Sequence, residues 1–148
     1  MIQTIPNARL DHVGIAVRSI NAALSFYRDV LGGVPGRAMI NEQLGFRFLA
    51  LRLPGDGKLE LLEPAGAESF LSSFLERRGE GVHHLTMLVP DIRASIAVLR
   101  ARGYEPVQVR LEKPVWQEAF VHPRDGHGVL IQLVQSDRAR ASRGGETT

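Results

Sequence analysis

Two stretches of this chain, Leu-Asp-His-Val-Gly-Ile-Ala-Val at 10–17 and Val-His-His-Leu-Thr-Met-Leu-Val at 82–89, are variants of one pattern. Laying His12 on His84 fixes an offset of 72 residues (84 − 12). Without a gap, that offset places Val13 on Leu85, Ile15 on Met87, Val17 on Val89, Ile20 on Ile92, Ala22 on Ala94 and Leu24 on Ile96. It also places Leu59-Glu60-Leu61-Leu62 on Ile131-Gln132-Leu133-Val134. A chain that repeats itself in this way builds one module twice. Four polar side chains then occupy matched places: His12, Glu60, His84 and Gln132.

Each copy reads as βαβββ. In the first, 10–17 alternates as a strand, with His12, Gly14 and Ala16 on one face and Val13, Ile15 and Val17 on the other. A helix should follow, with Ser19 as N-cap, a stripe through Ile20, Ala23, Leu24, Tyr27 and Leu31, and Gly32-Gly33 as its stop. Strands are expected near 37–40, at 46–53 and at 58–62, the last two joined by the turn Pro54-Gly55-Asp56-Gly57. Glu60 and Leu62 share a face of the last strand. A carboxylate inside an apolar strand calls for a cation or a metal.

The segment 65–81 connects the copies through an amphipathic helix carrying Phe70, Leu71, Phe74 and Leu75, ended by Arg77-Arg78-Gly79. The second copy should then run as a strand at 83–89, Asp91 as N-cap, a helix through Ile92, Ile96 and Leu99 with Gly103 as stop, and strands near 107–111, 118–122 and 129–134. His83 has the opposite parity from His84 and is read as a packing or capping residue. His122 and His127 fall at turns. The polar, aperiodic tail 136–148 is expected to be disordered.

This pattern gives an α+β fold: a single domain over 9–135 made of two tandem βαβββ modules, 9–64 and 82–135. Two half-sheets with helices on one face each would bury themselves by forming a cupped mixed sheet with the helices on the outer face. The inner wall would then be helix-free, and strand parity puts the four matched residues on it.

Composition narrows the chemistry. The absence of cysteine excludes thiolate sites, so a metal here must use imidazole and oxygen. A formal net charge of +2 is too small to argue for nucleic acid. No apolar run reaches the roughly 18 residues of a membrane span, and no secretion signal opens the chain, so a cytoplasmic protein without membrane partners is expected.

Paired modules with His, Glu, His and a polar residue at these places resemble the vicinal oxygen chelate (glyoxalase, bleomycin resistance, dioxygenase) superfamily. Leu-Asp-His-Val-Gly-Ile-Ala-Val, Leu-Glu-Leu-Leu-Glu-Pro (59–64), Gly-Glu-Gly-Val-His-His (79–84), His-Pro-Arg-Asp (122–125) and Gly-Val-Leu-Ile-Gln-Leu-Val-Gln (128–135) are most similar to the methylmalonyl-CoA epimerases within it. The resemblance implies a divalent metal (cobalt, nickel, manganese, zinc or iron) on His12, Glu60, His84 and Gln132. It also implies epimerisation of a small carbonyl substrate, an acyl-CoA, through an enolate, and a homodimer.

Two departures stand out. The fourth position is usually Glu in the family, and Gln132 can ligate through its oxygen but cannot act as a base. Glu60 becomes the proton carrier, with Glu118 and Glu42 as candidates for a second. Lys113-Pro114-Val115-Trp116 stands where epimerases usually have a glycine-rich loop. Other readings of the same fold are glyoxalase-type or oxygen-dependent chemistry, and a metal-free ligand-binding or resistance protein.

Overall fold

The computed structural model describes residues 3–137. Its elements are β1 (Arg9–Ala16), α1 (Ile20–Tyr27), β2 (Val34–Asn41), β3 (Phe46–Arg52), β4 (Lys58–Pro64), α2 (Phe70–Arg78), β5 (Gly81–Leu88), α3 (Ile92–Ala101), β6 (Val107–Arg110), β7 (Trp116–Val121) and β8 (Leu130–Ser136). The fold is α+β, with an eight-stranded mixed sheet ordered β2-β3-β4-β1-β5-β8-β7-β6. No helix among the described residues is long and apolar enough to cross a membrane. The chain divides into two compact units, His12–His83 and a second made of the segments up to Asp11 and from His84 onward.

In the first unit, β1 runs parallel to β4 with Gly14 opposite Glu60, and β3 pairs antiparallel between β4 and β2. Alternation puts Leu59 and Leu61 on the face that α1 covers, where Val17, Ile20, Leu24, Leu49, Leu51 and Leu61 form a buried cluster. α1 starts as its sequence dictates: the Ser19 hydroxyl accepts from Ala22 N at 3.1 Å, and the Glu63 carboxylate accepts from Ile20 N at 2.8 Å. It ends sooner than expected, at Tyr27. Residues 28–31 continue as irregular turns, and Leu31 is exposed instead of lying on the buried stripe.

The expectation of a helix-free second face needs correction within this unit. α2, capped by Ser69 and ended by Gly79 in the left-handed region, lays Leu71 and Leu75 on Ala16 and Leu62. Both of those residues share the parity of His12 and Glu60. Phe46, Phe48 and Phe74 pack at the edge of this second cluster. His83 lies on α2 as well, its ring 5.5 Å from Phe70 and 5.0 Å from Phe74.

The second unit repeats the design. β5 runs parallel to β8, and β7 pairs antiparallel between β8 and β6. Val89, Ile92, Ile96, Ala119 and Leu133 form the core under α3, and Ile5 and Ala8 pack against it, a use of the amino-terminal segment that the repeat does not reveal. The capping chemistry recurs at the same offset: Asp91 accepts from Ala94 N at 3.0 Å and Gln135 Oε1 from Ile92 N at 2.8 Å. So does the bond that closes each parallel pair, Val17 N to Leu62 O and Val89 N to Val134 O. Ser136, assigned to the tail by composition, instead ends β8 and is buried, while residues 138–148 lie outside the described part.

Candidate metal centre

The site starts from a register. Because Gly14 stands opposite Glu60, His12 lies two residues earlier on the same face of β1. His12 Nε2 is 3.4 Å from Glu60 Oε2, with the two side chains only 14% and 19% exposed. His84, 8% exposed, opens the β5 part of the second unit. Ligand-capable atoms of His12, Glu60 and His84 all lie within 4.8 Å of one another. Two imidazole nitrogens and a carboxylate oxygen gathered at this range match the donor set of a borderline divalent ion, with positions left for further ligands.

The fourth matched residue has a different setting. In β8, Gln132 stands beside Thr86 of β5 and Phe120 of β7. Its Oε1 accepts from the Thr86 hydroxyl at 2.7 Å, and its Nε2 donates to Glu118 Oε2 at 2.7 Å. Glu118 is 7% exposed and receives two more donors: Arg110 Nη1 on Oε1 at 2.9 Å and Trp116 Nε1 on Oε2 at 3.1 Å. A buried carboxylate with three donors is a fixed anionic anchor. Glu42, by contrast, lies exposed in the turn between β2 and β3. Burial among the α2 phenylalanines pushes the His83 imidazole down to about 4 from its usual 6.5.

A profile of the Glyoxalase/Bleomycin resistance protein/Dioxygenase superfamily matches residues 11–120. The chain belongs to that superfamily. Its similarities concentrate in one branch of it. The ethylmalonyl-CoA/methylmalonyl-CoA epimerase of Cereibacter sphaeroides is 37% identical over 134 residues, spanning 86% of this chain and 97% of that one. The crystal structure of methylmalonyl-CoA epimerase from Mycobacterium tuberculosis superposes with a TM-score of 0.76 at 35% identity, covering 90% of this chain and 91% of that one. A Streptomyces coelicolor methylmalonyl-CoA epimerase variant in complex with 2-nitronate-propionyl-CoA gives a TM-score of 0.74 at 34% identity, covering 87% and 97%.

Within this superfamily framework, the residues brought together are His12, Glu60 and His84, while Gln132 is held between Thr86 and Glu118. Residues taken singly do not reveal the donors here, Thr86 to Gln132 and Arg110 and Trp116 to Glu118. One of them had a signal. Thr86 stands at the offset of Gly14, so the second copy has a hydroxyl beside its polar residue where the first has a bare backbone.

Proposed function

We propose that this chain is an epimerase of the methylmalonyl-CoA type, holding a divalent metal on His12, Glu60, His84 and the Gln132 amide oxygen. The gathering of three donor atoms within 4.8 Å carries the reading, and the epimerase relatives supply its substrate class. Gln132 Oε1 accepts one bond from Thr86, and an amide oxygen has a second lone pair for a cation. A bound metal supplies Lewis-acid stabilisation of charge developing on a carbonyl oxygen beside the C–H bond that breaks. Glu60, largely shielded from solvent and next to His12, is the proton carrier, since Gln132 cannot take a proton and both oxygens of Glu118 are engaged by donors. A cytoplasmic homodimer acting on an acyl-CoA completes the assignment.

The test is exchange of the substrate α-proton. Protein loaded with cobalt, and methylmalonyl-CoA in deuterated water, should lose the α-proton signal by NMR. Chelation should stop the exchange, and Glu60→Gln should bind less cobalt and exchange more slowly. No exchange with cobalt, nickel, manganese, zinc or iron would sink the epimerase reading, and oxygen uptake with iron would replace it with dioxygenase chemistry.

A further inference from the structure

The second unit contains a polar chain on the sheet face of Gln132 that the first does not. Phe48 pairs with Leu62 in β4, and Glu118 pairs with Val134 in β8; since 62 + 72 = 134, Glu118 stands where the first module has Phe48. The first module thus puts an aromatic ring from its α2 cluster where the second puts a carboxylate. That carboxylate is buried at 7% exposure, and Thr86 at 1%. Groups this deep persist only with fixed partners.

Donor and acceptor chemistry then leaves the Gln132 amide one orientation. An ionised carboxylate only accepts, so the end of Gln132 at 2.7 Å from Glu118 Oε2 must be the nitrogen. The other end must be the oxygen, and the Thr86 hydroxyl meets it at 2.7 Å. Arg110 in turn holds the other oxygen of Glu118 at 2.9 Å, and Trp116 Nε1 shares Oε2 with the amide at 3.1 Å. The amide cannot flip without setting oxygen against oxygen at Glu118.

We infer that Glu118 is a positioning residue: it fixes the Gln132 amide with its oxygen toward β5, and residues 118 and 132 form a matched carboxylate–amide pair. This rests on the proposed metal site only for the use made of that oxygen. The pair also accounts for the family departure at 132. A glutamate there would face Glu118 across the same 2.7 Å as a second acceptor, so this chain carries the amide at 132 because it carries the carboxylate at 118.

The experiment is a four-member cycle of wild type, Glu118→Gln, Gln132→Glu and the reversed pair with both changes, each read in two ways at pH 8. Urea unfolding of the metal-free proteins tests the pair. Gln132→Glu should lower the folding equilibrium constant by roughly tenfold or more, the cost of a buried acceptor facing another acceptor, and the reversed pair, which restores a donor against an acceptor but turns that donor toward the Trp116 N–H as well, should recover part of it. Cobalt titration tests the positioning. Glu118→Gln, which lets the amide present either end, should weaken cobalt binding and scatter the cobalt absorption bands, while the reversed pair restores one sharp spectrum. Additive losses in the unfolding cycle would overturn the matched pair. Unchanged cobalt affinity and spectrum in Glu118→Gln, with wild type binding cobalt, would overturn the positioning role. Wild type that takes up no cobalt defeats both the metal reading and the positioning role, and the unfolding cycle then decides the matched pair alone.

Discussion

Replacing His83 by glutamine should change how stability depends on pH far more than it changes stability at neutral pH. The imidazole packs edge-on against Phe74 and beside Phe70, and burial there pushes it down to about 4 from 6.5. Between those values the unfolded chain holds a proton at His83 and the folded chain does not, so stability rises with pH across this window. The stability is fully present above pH 6.5 and is lost as pH falls toward 4, where the loss levels off. A shift of about 2.5 units corresponds to about 3 kcal/mol at full loss, at 1.36 kcal/mol per unit, and about 2 kcal/mol at pH 5. Glutamine does not titrate, so its protein lacks this component while every other group contributes to both. The assay is urea unfolding of wild type and His83→Gln from pH 7.5 to 4, with a chelator present so that no metal couples to neighbouring His84. The gap between the two curves should move by about 3 kcal/mol in favour of the variant as the pH falls. Parallel curves, within about 0.5 kcal/mol, would refute the argument that the phenylalanines exclude the charged ring.

Four further outcomes are expected. Gly33→Ala would drive its methyl into the Leu51 side chain and to 2.6 Å from the Tyr27 carbonyl oxygen, so it should cost about 2 to 4 kcal/mol in chemical denaturation. Leu51→Val should return part of that cost in the double variant. Leu61→Ala, at a fully buried position under α1, should cost about 2 to 5 kcal/mol by the same measurement. Glu63→Ala removes the carboxylate that meets Ile20 N and should destabilise by about 1 kcal/mol, less at high salt. Cobalt at a hundredfold excess over its dissociation constant should stabilise wild type by about 2.7 kcal/mol, and His12→Ala should remove most of that gain in a thermal shift assay.

Most of the strand and cap positions were readable because the physics behind them is local. Ser19 and Asp91 precede apolar stripes and cap α1 and α3, and parity alone put Glu60 on the face of His12 and Leu61 on the face under α1. What escaped the sequence depends on distant contacts. β2 is longer than its 37–40 signal because Val34 and Pro35 pair with β3 across a register shift, which a proline tolerates at an edge strand. The apolar stripe of 70–75 announced a helix, but nothing in it says which face of a sheet that helix covers. Glu118 was visible as an acid near Gln132; its three donors come from β6, β7 and β8, and only the antiparallel register brings them together.

The helix starts of the two modules show a division of labour. Each has two acceptors, one from the residue before the helix and one from the end of the parallel strand. At α1 the neighbour is neutral Ser19 and the strand supplies anionic Glu63. At α3 the neighbour is anionic Asp91 and the strand supplies neutral Gln135. The starts of α1 and α3 thus each keep a single negative charge against the dipole, although both positions have changed character between the copies. The sequence tolerated exchange of a charge between two sites that serve one helix. It follows that either position can be varied if the other compensates: Glu63→Gln together with Ser19→Asp should leave α1 as well anchored as α3.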